Sequence, residues 1–172
     1  DTFRKIACSR NYYITPTNKS REGRELWNHH KMVKKTMFPY DGIEGGKTGY
    51  TTRAGGTLVT FCKRNDLELI CVVLQGNGYE LYRDTMKMLD YAYDNYKVVT
   101  PFKEVQGIIQ DNGLGILKAG NQLMPWTLQL DELKNITVLL EKNQDASKLS
   151  YRCKGKKLYI DYNGRKIGNI TL

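Results

Sequence analysis

Ile43-Glu44-Gly45-Gly46-Lys47-Thr48-Gly49-Tyr50-Thr51, followed by Thr57-Leu58-Val59-Thr60-Phe61-Cys62 and Ile70-Cys71-Val72-Val73-Leu74, decides the fold. The last two runs are β-branched and apolar, and Lys63-Arg64-Asn65-Asp66 lies between them, so they read as an antiparallel hairpin. Ile43 to Thr51 reads as a third strand before that hairpin, with Ala54-Gly55-Gly56 as its turn. Both arms are apolar nearly throughout, which predicts a central position with both faces covered. Cys62 and Cys71 fall on opposite arms and could share a face. A disulfide between them is conceivable, but buried free thiols are the preferred reading.

Working outward, Gly76-Asn77-Gly78 breaks the strand pattern, and a helix is expected from about Glu80 to Tyr96. Leu81, Thr85, Met88, Leu89, Ala92 and Tyr96 recur at helical spacing and form one stripe that should pack on the hairpin. Lys97 to Glu104, with Pro101, reads as a linker. Beyond Val105 the texture changes to short β-prone runs between turn signals: Asp111-Asn112-Gly113, Lys154-Gly155 and Asn163-Gly164. Tyr159 to Ile167 around Asn163-Gly164 is an Asn-Gly hairpin. The expected organisation is therefore one domain over 1–100 and a small all-β domain of six or seven strands over 101–172. Upstream of the decisive stretch, residues 1–40 are mixed, with a turn at Thr15-Pro16-Thr17-Asn18 and a polar loop from Lys19 to Arg24.

Composition bounds what this chain can do. It has 172 residues, 40% hydrophobic and 26% charged, the make-up of a chain that buries a core. No run of 18 apolar residues occurs, so no segment reads as a transmembrane helix. The formal net charge is +9. Residues 1–100 hold 16 Lys and Arg against 11 Asp and Glu, and residues 101–172 hold 11 against 7, so the excess is spread along the chain. Anionic cell-wall polymers or a lipid surface would suit such a charge, but even spread most simply serves solubility. No nucleic-acid motif is present. Cys8, Cys62, Cys71 and Cys153 include no Cys-x-x-Cys and form no cluster with zinc spacing, so no metal site is expected.

The chemistry lies in Gly45-Gly46-Lys47-Thr48-Gly49-Tyr50-Thr51. A lysine on a strand edge offers fixed positive charge to a carboxylate, and the next hydroxyl adds a directed hydrogen bond. The glycine that follows lets an acyl group lie against the backbone. A phosphate-binding loop needs Gly-x-x-x-x-Gly-Lys-Ser/Thr. Asp41 stands where its first glycine should be, and a strand hairpin follows instead of a helix. The triplet alone is a weak signal that a structural glycine turn could also produce.

Its surroundings are more specific. Gly-Gly-Lys-Thr-Gly-Tyr-Thr is followed by Ala54-Gly55, Leu58-Val59, Arg64 and Leu69 to Leu74. Phe3-Arg4-Lys5-Ile6-Ala7, Asn18 and Asn28-His29-His30-Lys31-Met32 precede it, and Arg83 to Tyr91 follows. This arrangement resembles the low-molecular-weight penicillin-binding proteins, the serine-type D-alanyl-D-alanine carboxypeptidases. The resemblance is dense over residues 1 to about 100. It implies an α+β fold: part of a transpeptidase/β-lactamase-like antiparallel sheet with a packed helix, then a small all-β domain. It also implies that the whole enzyme removes the terminal D-alanine of peptidoglycan pentapeptides through an acyl-serine, without cofactor or metal. β-Lactams would acylate the same serine.

The family joins three motifs in one site: Ser-x-x-Lys, Ser-x-Asn and Lys-Thr-Gly. No serine here (Ser9, Ser20, Ser147, Ser150) has a lysine three residues on. Ser9-Arg10-Asn11 has the Ser-x-Asn form, but it lies only 38 residues before Lys47 and reads as a decoy. The resemblance thus implies a C-terminal part of such an enzyme, inactive by itself. By that resemblance Lys47, Thr48 and Gly49 bind the substrate carboxylate and the backbone N–H of Tyr50 serves as an oxyanion donor. His29 and Arg83 are further candidates for carboxylate binding, although a structural ion pair suits Arg83 better. Lys31, Lys34 and Lys35 read as a solvated face. The expected partners are the peptidoglycan stem peptide and β-lactams. Location outside the cytoplasmic membrane is implied, with membrane association through a C-terminal anchor not included in these residues. A sheet edge left open would favour an oligomer or association with an N-terminal part. The alternatives are a non-catalytic cell-wall-binding module and a β-lactamase-type relative.

Overall fold

The protein is described by a computed structural model covering residues 2–34, 37–100, 117–119, 122–124, 137–155 and 157–171. The chain divides into two compact units, residues 1–94 and 95–172.

The first unit is organised by an antiparallel sheet. Its strands are β3 (Ile43–Thr51), β4 (Gly55–Arg64) and β5 (Leu67–Gly76), in the order β3-β4-β5. Before it come α1 (Thr2–Cys8), the hairpin β1 (Asn11–Ile14) and β2 (Arg24–Trp27), and the single turn α2 (Lys31–Lys34). The three expected strands are all present. The turn between β4 and β5 closes on two residues, with Asn65 in the left-handed region at φ 51°.

Helix α3 (Glu80–Asn95) packs on one face of this sheet. In register, Leu58 faces Val73, Thr60 faces Cys71 and Cys62 faces Leu69, which gathers the α3-facing side chains in one row. Leu81, Tyr82, Thr85 and Leu89 of α3 are buried. The expected stripe is thus rotated: Tyr82 joins it, while Met88 is 51% exposed. Thr85 satisfies its buried hydroxyl by donating to the Leu81 carbonyl one turn back, at 2.7 Å. Cys62 and Cys71 are buried free thiols in one cluster with Leu89, and burial raises the pKa of both.

The opposite face corrects an expectation. The sheet is not covered on both sides, because Ile70, Val72 and Leu74, alternate residues of β5, are 69%, 47% and 70% exposed. Apolarity in sequence could not show whether the covering layer lies within these 172 residues. Helix α1 touches this side through an edge-to-face contact of Phe3 with Phe61 at 6.1 Å and an Arg4–Glu44 ion pair. At the far end of the hairpin the Arg64 guanidinium lies 4.3 Å from the Tyr40 ring and 4.7 Å from the Tyr93 ring. Tyr40 donates to Asp90 at 2.6 Å, tying this corner to α3.

In the second unit β6 (Tyr96–Val99) pairs with β9 (Val138–Glu141), and β7 (Leu117–Ala119) pairs with β8 (Gln122–Met124). A third group is the meander β10 (Leu149–Lys154), β11 (Lys157–Tyr162) and β12 (Arg165–Thr171). Tyr96 to Val99, read above as helix end and linker start, is a strand of this unit, so the division falls at 94/95 and not at 100/101. Apart from the tail of α3 and one 3-10 turn at Ala146–Lys148, the described secondary structure of this unit is β. The expected linker residues 101–104 and the turn at 111–113 lie outside the described residues. The Asn-Gly hairpin is present, with Asn163 at φ 50° and Gly164 at φ 76°, the two left-handed residues a type I′ turn requires. Val138, Leu140 and Ile160 form its core, joined by Val99, Leu149, Tyr151 and Ile170.

Candidate functional site

Strand β3 is an edge strand: β4 is its one sheet neighbour among the described residues. Successive residues alternate between faces. Gly46 pairs with Thr60 and Thr48 with Leu58, on the α3 side, while Gly45 pairs with Phe61 and Lys47 with Val59, on the α1 side. Lys47 is exposed, and its ammonium donates to the Thr48 carbonyl at 2.6 Å. No carboxylate among the described residues pairs with it, so its charge is available to an anion. Thr48 is half-buried beside it, and Tyr50 is 77% exposed. A Cβ on Gly49, an exposed position, would lie 2.4 Å from the Thr57 hydroxyl, so a side chain there would have to displace that hydroxyl.

Just before Lys47 the strand is gripped from both faces. A Cβ on Gly45 would lie 2.6 Å from Cys8 Sγ and 2.9 Å from the Ala7 carbonyl, at the end of α1. A Cβ on Gly46 would lie 2.3 Å from the Val59 carbonyl, 2.6 Å from His30 Cδ2 and 2.7 Å from His30 Nε2. The His30 ring is wholly buried. Its Nε2 is 2.9 Å from Thr60 Oγ1, and its ring meets Tyr82 of α3 edge-on at 5.7 Å. Its Nδ1 is buried and has no hydrogen-bond partner among the described residues. Desolvation holds the imidazole neutral and lowers its pKa to about 4.

Asn28 ties the two grips together. Its Nδ2 donates to the Ala7 carbonyl at 3.1 Å and the Ser9 carbonyl at 3.0 Å, and its Oδ1 accepts from the His30 backbone N–H at 2.9 Å.

The sequence candidates therefore separate. Lys47, Thr48, Gly49 and Tyr50 stand together along one exposed strand. His29 is exposed, and it is its neighbour His30 that lies against the strand. Arg83 is engaged in an exposed ion pair with Glu80 one turn before it on α3. Ser9 donates its hydroxyl to the Lys5 carbonyl at 2.7 Å, and Asn11 donates to Glu25 at 2.6 Å. Both polar groups of Ser-x-Asn are thus used locally. His30 was missed because nothing in sequence distinguishes it from His29. The signal that could have found it is the Gly45-Gly46 pair, which asks for close neighbours on both faces.

No protein-family profile matches the chain. It is 28% identical over 150 residues to the D-alanyl-D-alanine carboxypeptidase DacF of Bacillus subtilis, covering 86% of this chain and 36% of the relative. It is 27% identical over 134 residues to the D-alanyl-D-alanine carboxypeptidase DacC of Escherichia coli, covering 67% of this chain and 33% of the relative. The chain is a relative of the penicillin-binding D-alanyl-D-alanine carboxypeptidases. Among solved structures of that group, penicillin binding protein 5 from Haemophilus influenzae superposes with a TM-score of 0.58. That match has 16% identity and covers 98% of this chain and 48% of the other, so it shows a shared fold. The chain spans about a third of the length of the curated carboxypeptidases it matches.

Proposed function

We propose that this chain supplies the Lys-Thr-Gly wall and the C-terminal β unit of a serine-type D-alanyl-D-alanine carboxypeptidase. The observation that carries this reading is β3 itself: an edge strand presenting a lysine with no carboxylate partner among the described residues, a hydroxyl and a side-chain-free glycine in a row. In the complete enzyme a serine hydroxyl attacks the penultimate D-alanine carbonyl, the peptide C–N bond breaks, and D-alanine leaves with the proton. Water then hydrolyses the acyl-serine. Lys47 and Thr48 hold the terminal carboxylate by charge and hydrogen bond. The backbone N–H of Tyr50 stabilises the oxyanion. Gly49 leaves space for the acyl group. β-Lactams acylate the same serine, and the enzyme works in the cell envelope.

The nucleophile is not among these 172 residues, which contain no Ser-x-x-Lys. The chain by itself is therefore inactive. Two features support a further covering segment or a second copy. Ile70, Val72 and Leu74 leave an apolar sheet face in water, and β5 has a single sheet neighbour among the described residues. The test is hydrolysis of a D-alanyl-D-alanine peptide by the complete protein, residues upstream of Asp1 included. Release of D-alanine that falls in a Lys47→Ala variant supports the reading. Peptide binding with no turnover in the complete protein points to a non-catalytic wall-binding module instead.

A further inference from the structure

Gly45 and Gly46 of β3 carry no side chains, and both faces there are occupied. On one side stand Ala7 and Cys8 at the end of α1, and on the other the wholly buried ring of His30. The ring spans the cross-strand pair Gly46–Thr60, touching β3 with its Cδ2–Nε2 edge and bonding Thr60 of β4 at 2.9 Å. Tyr82 closes it in from α3 at 5.7 Å. His30 is fixed through its own backbone by Asn28, which also holds the end of α1. Burying an imidazole with one nitrogen unpartnered costs free energy that an apolar side chain of similar size would not. A polar ring kept at such a position points to what it holds in place.

We infer that His30, fixed by Asn28, is a positioning residue that sets the height of β3 against β4 and α3, and thereby the position of Lys47, Thr48 and Tyr50. It touches neither substrate nor reacting atoms. It acts on the next residue along, because a rigid strand clamped at 45–46 carries 47–50 at a defined distance from the rest of the site. A displacement of about 1 Å at a reacting centre can cost about 100-fold in rate. The catalytic consequence rests on the carboxypeptidase reading. The mechanical one, a clamp on β3, does not.

The two parts are tested separately. In the 172-residue chain, backbone amide hydrogen exchange is compared between wild type, His30→Ala and His30→Gln. The expected result is exchange at least 10-fold faster in His30→Ala at those amides of Lys47 to Tyr50 that bond to β4, with Ile70 to Val73 unchanged. His30→Gln, whose amide can reach Thr60, restores part of the protection. Equal acceleration across β3, β4 and β5 makes His30 an ordinary core residue and overturns the inference, as does no acceleration at all. Should His30→Ala fail to fold, Thr60→Val, which removes the hydroxyl partner at similar volume, takes its place with the same two outcomes. In the complete protein, His30→Ala is expected to slow acylation by penicillin at least 10-fold. An unchanged acylation rate overturns the catalytic part. Absence of acylation in the wild type rejects the carboxypeptidase reading while leaving the exchange result to decide the clamp.

Discussion

A glycine is required at position 46 because His30 and the Val59 carbonyl already fill the space a Cβ would need. The same burial makes His30 the residue that should couple stability to pH. Its pKa in the fold is about 4, below the ordinary 6.5, and Tyr82 is the titratable side chain set against its ring. The neutral form is the one the fold accepts, so the unfolded chain binds a proton first as pH falls. The stability due to the neutral ring is therefore complete above pH 6.5 and is lost progressively down to about pH 4. The whole loss amounts to about 3 kcal/mol. Comparing unfolding free energies of wild type and His30→Gln from pH 7 to 4 isolates this share, and the two curves should converge as pH falls. Lys47 belongs to the same scale. If its ammonium holds a carboxylate through a charge-assisted bond, Lys47→Ala in the complete protein should lower penicillin acylation by about 10- to 100-fold. Folding should be unaffected, since Lys47 is exposed.

Among the elements, the β4–β5 hairpin was readable from two β-branched apolar runs flanking Lys63-Arg64-Asn65-Asp66, and α3 from its 3.6-residue period. The Asn163-Gly164 turn was readable for a stereochemical reason, and Gly164→Ala at φ 76° should cost about 1–2 kcal/mol in a thermal or denaturant melt. What sequence could not give was the third dimension. The clamp joins residues 7–8, 28–30 and 45–46, and no local pattern announces contacts between segments so far apart. The covered-face expectation for the hairpin failed similarly, because apolar side chains show what wants burial and not what buries it. The two faces can be separated by mutation. Leu89, 2% exposed in the α3 interface, should lose about 2–5 kcal/mol on change to Ala. Leu74→Gln, at 70% exposure on the other face, should change the stability of the dilute chain by less than about 0.5 kcal/mol.

At the scale of the molecule, the chain is proposed to be one wall of a site and one β unit, and it is similar over most of its length to about a third of each of two curated carboxypeptidases. The Lys-Thr-Gly strand was legible through its neighbours in sequence. The proposed serine nucleophile is legible only through a motif, Ser-x-x-Lys, that these 172 residues do not contain. The exposed row Ile70, Val72 and Leu74 should make the 172-residue chain associate at high concentration, and light scattering should show this weakening in Leu74→Gln. A strictly monomeric chain would remove that support. The most direct test of the central claim is covalent labelling by a fluorescent penicillin. The complete protein should be labelled through a serine upstream of Asp1, and the 172-residue chain alone should remain unlabelled. Covalent labelling of the 172-residue chain, or none of the complete protein, would contradict the account.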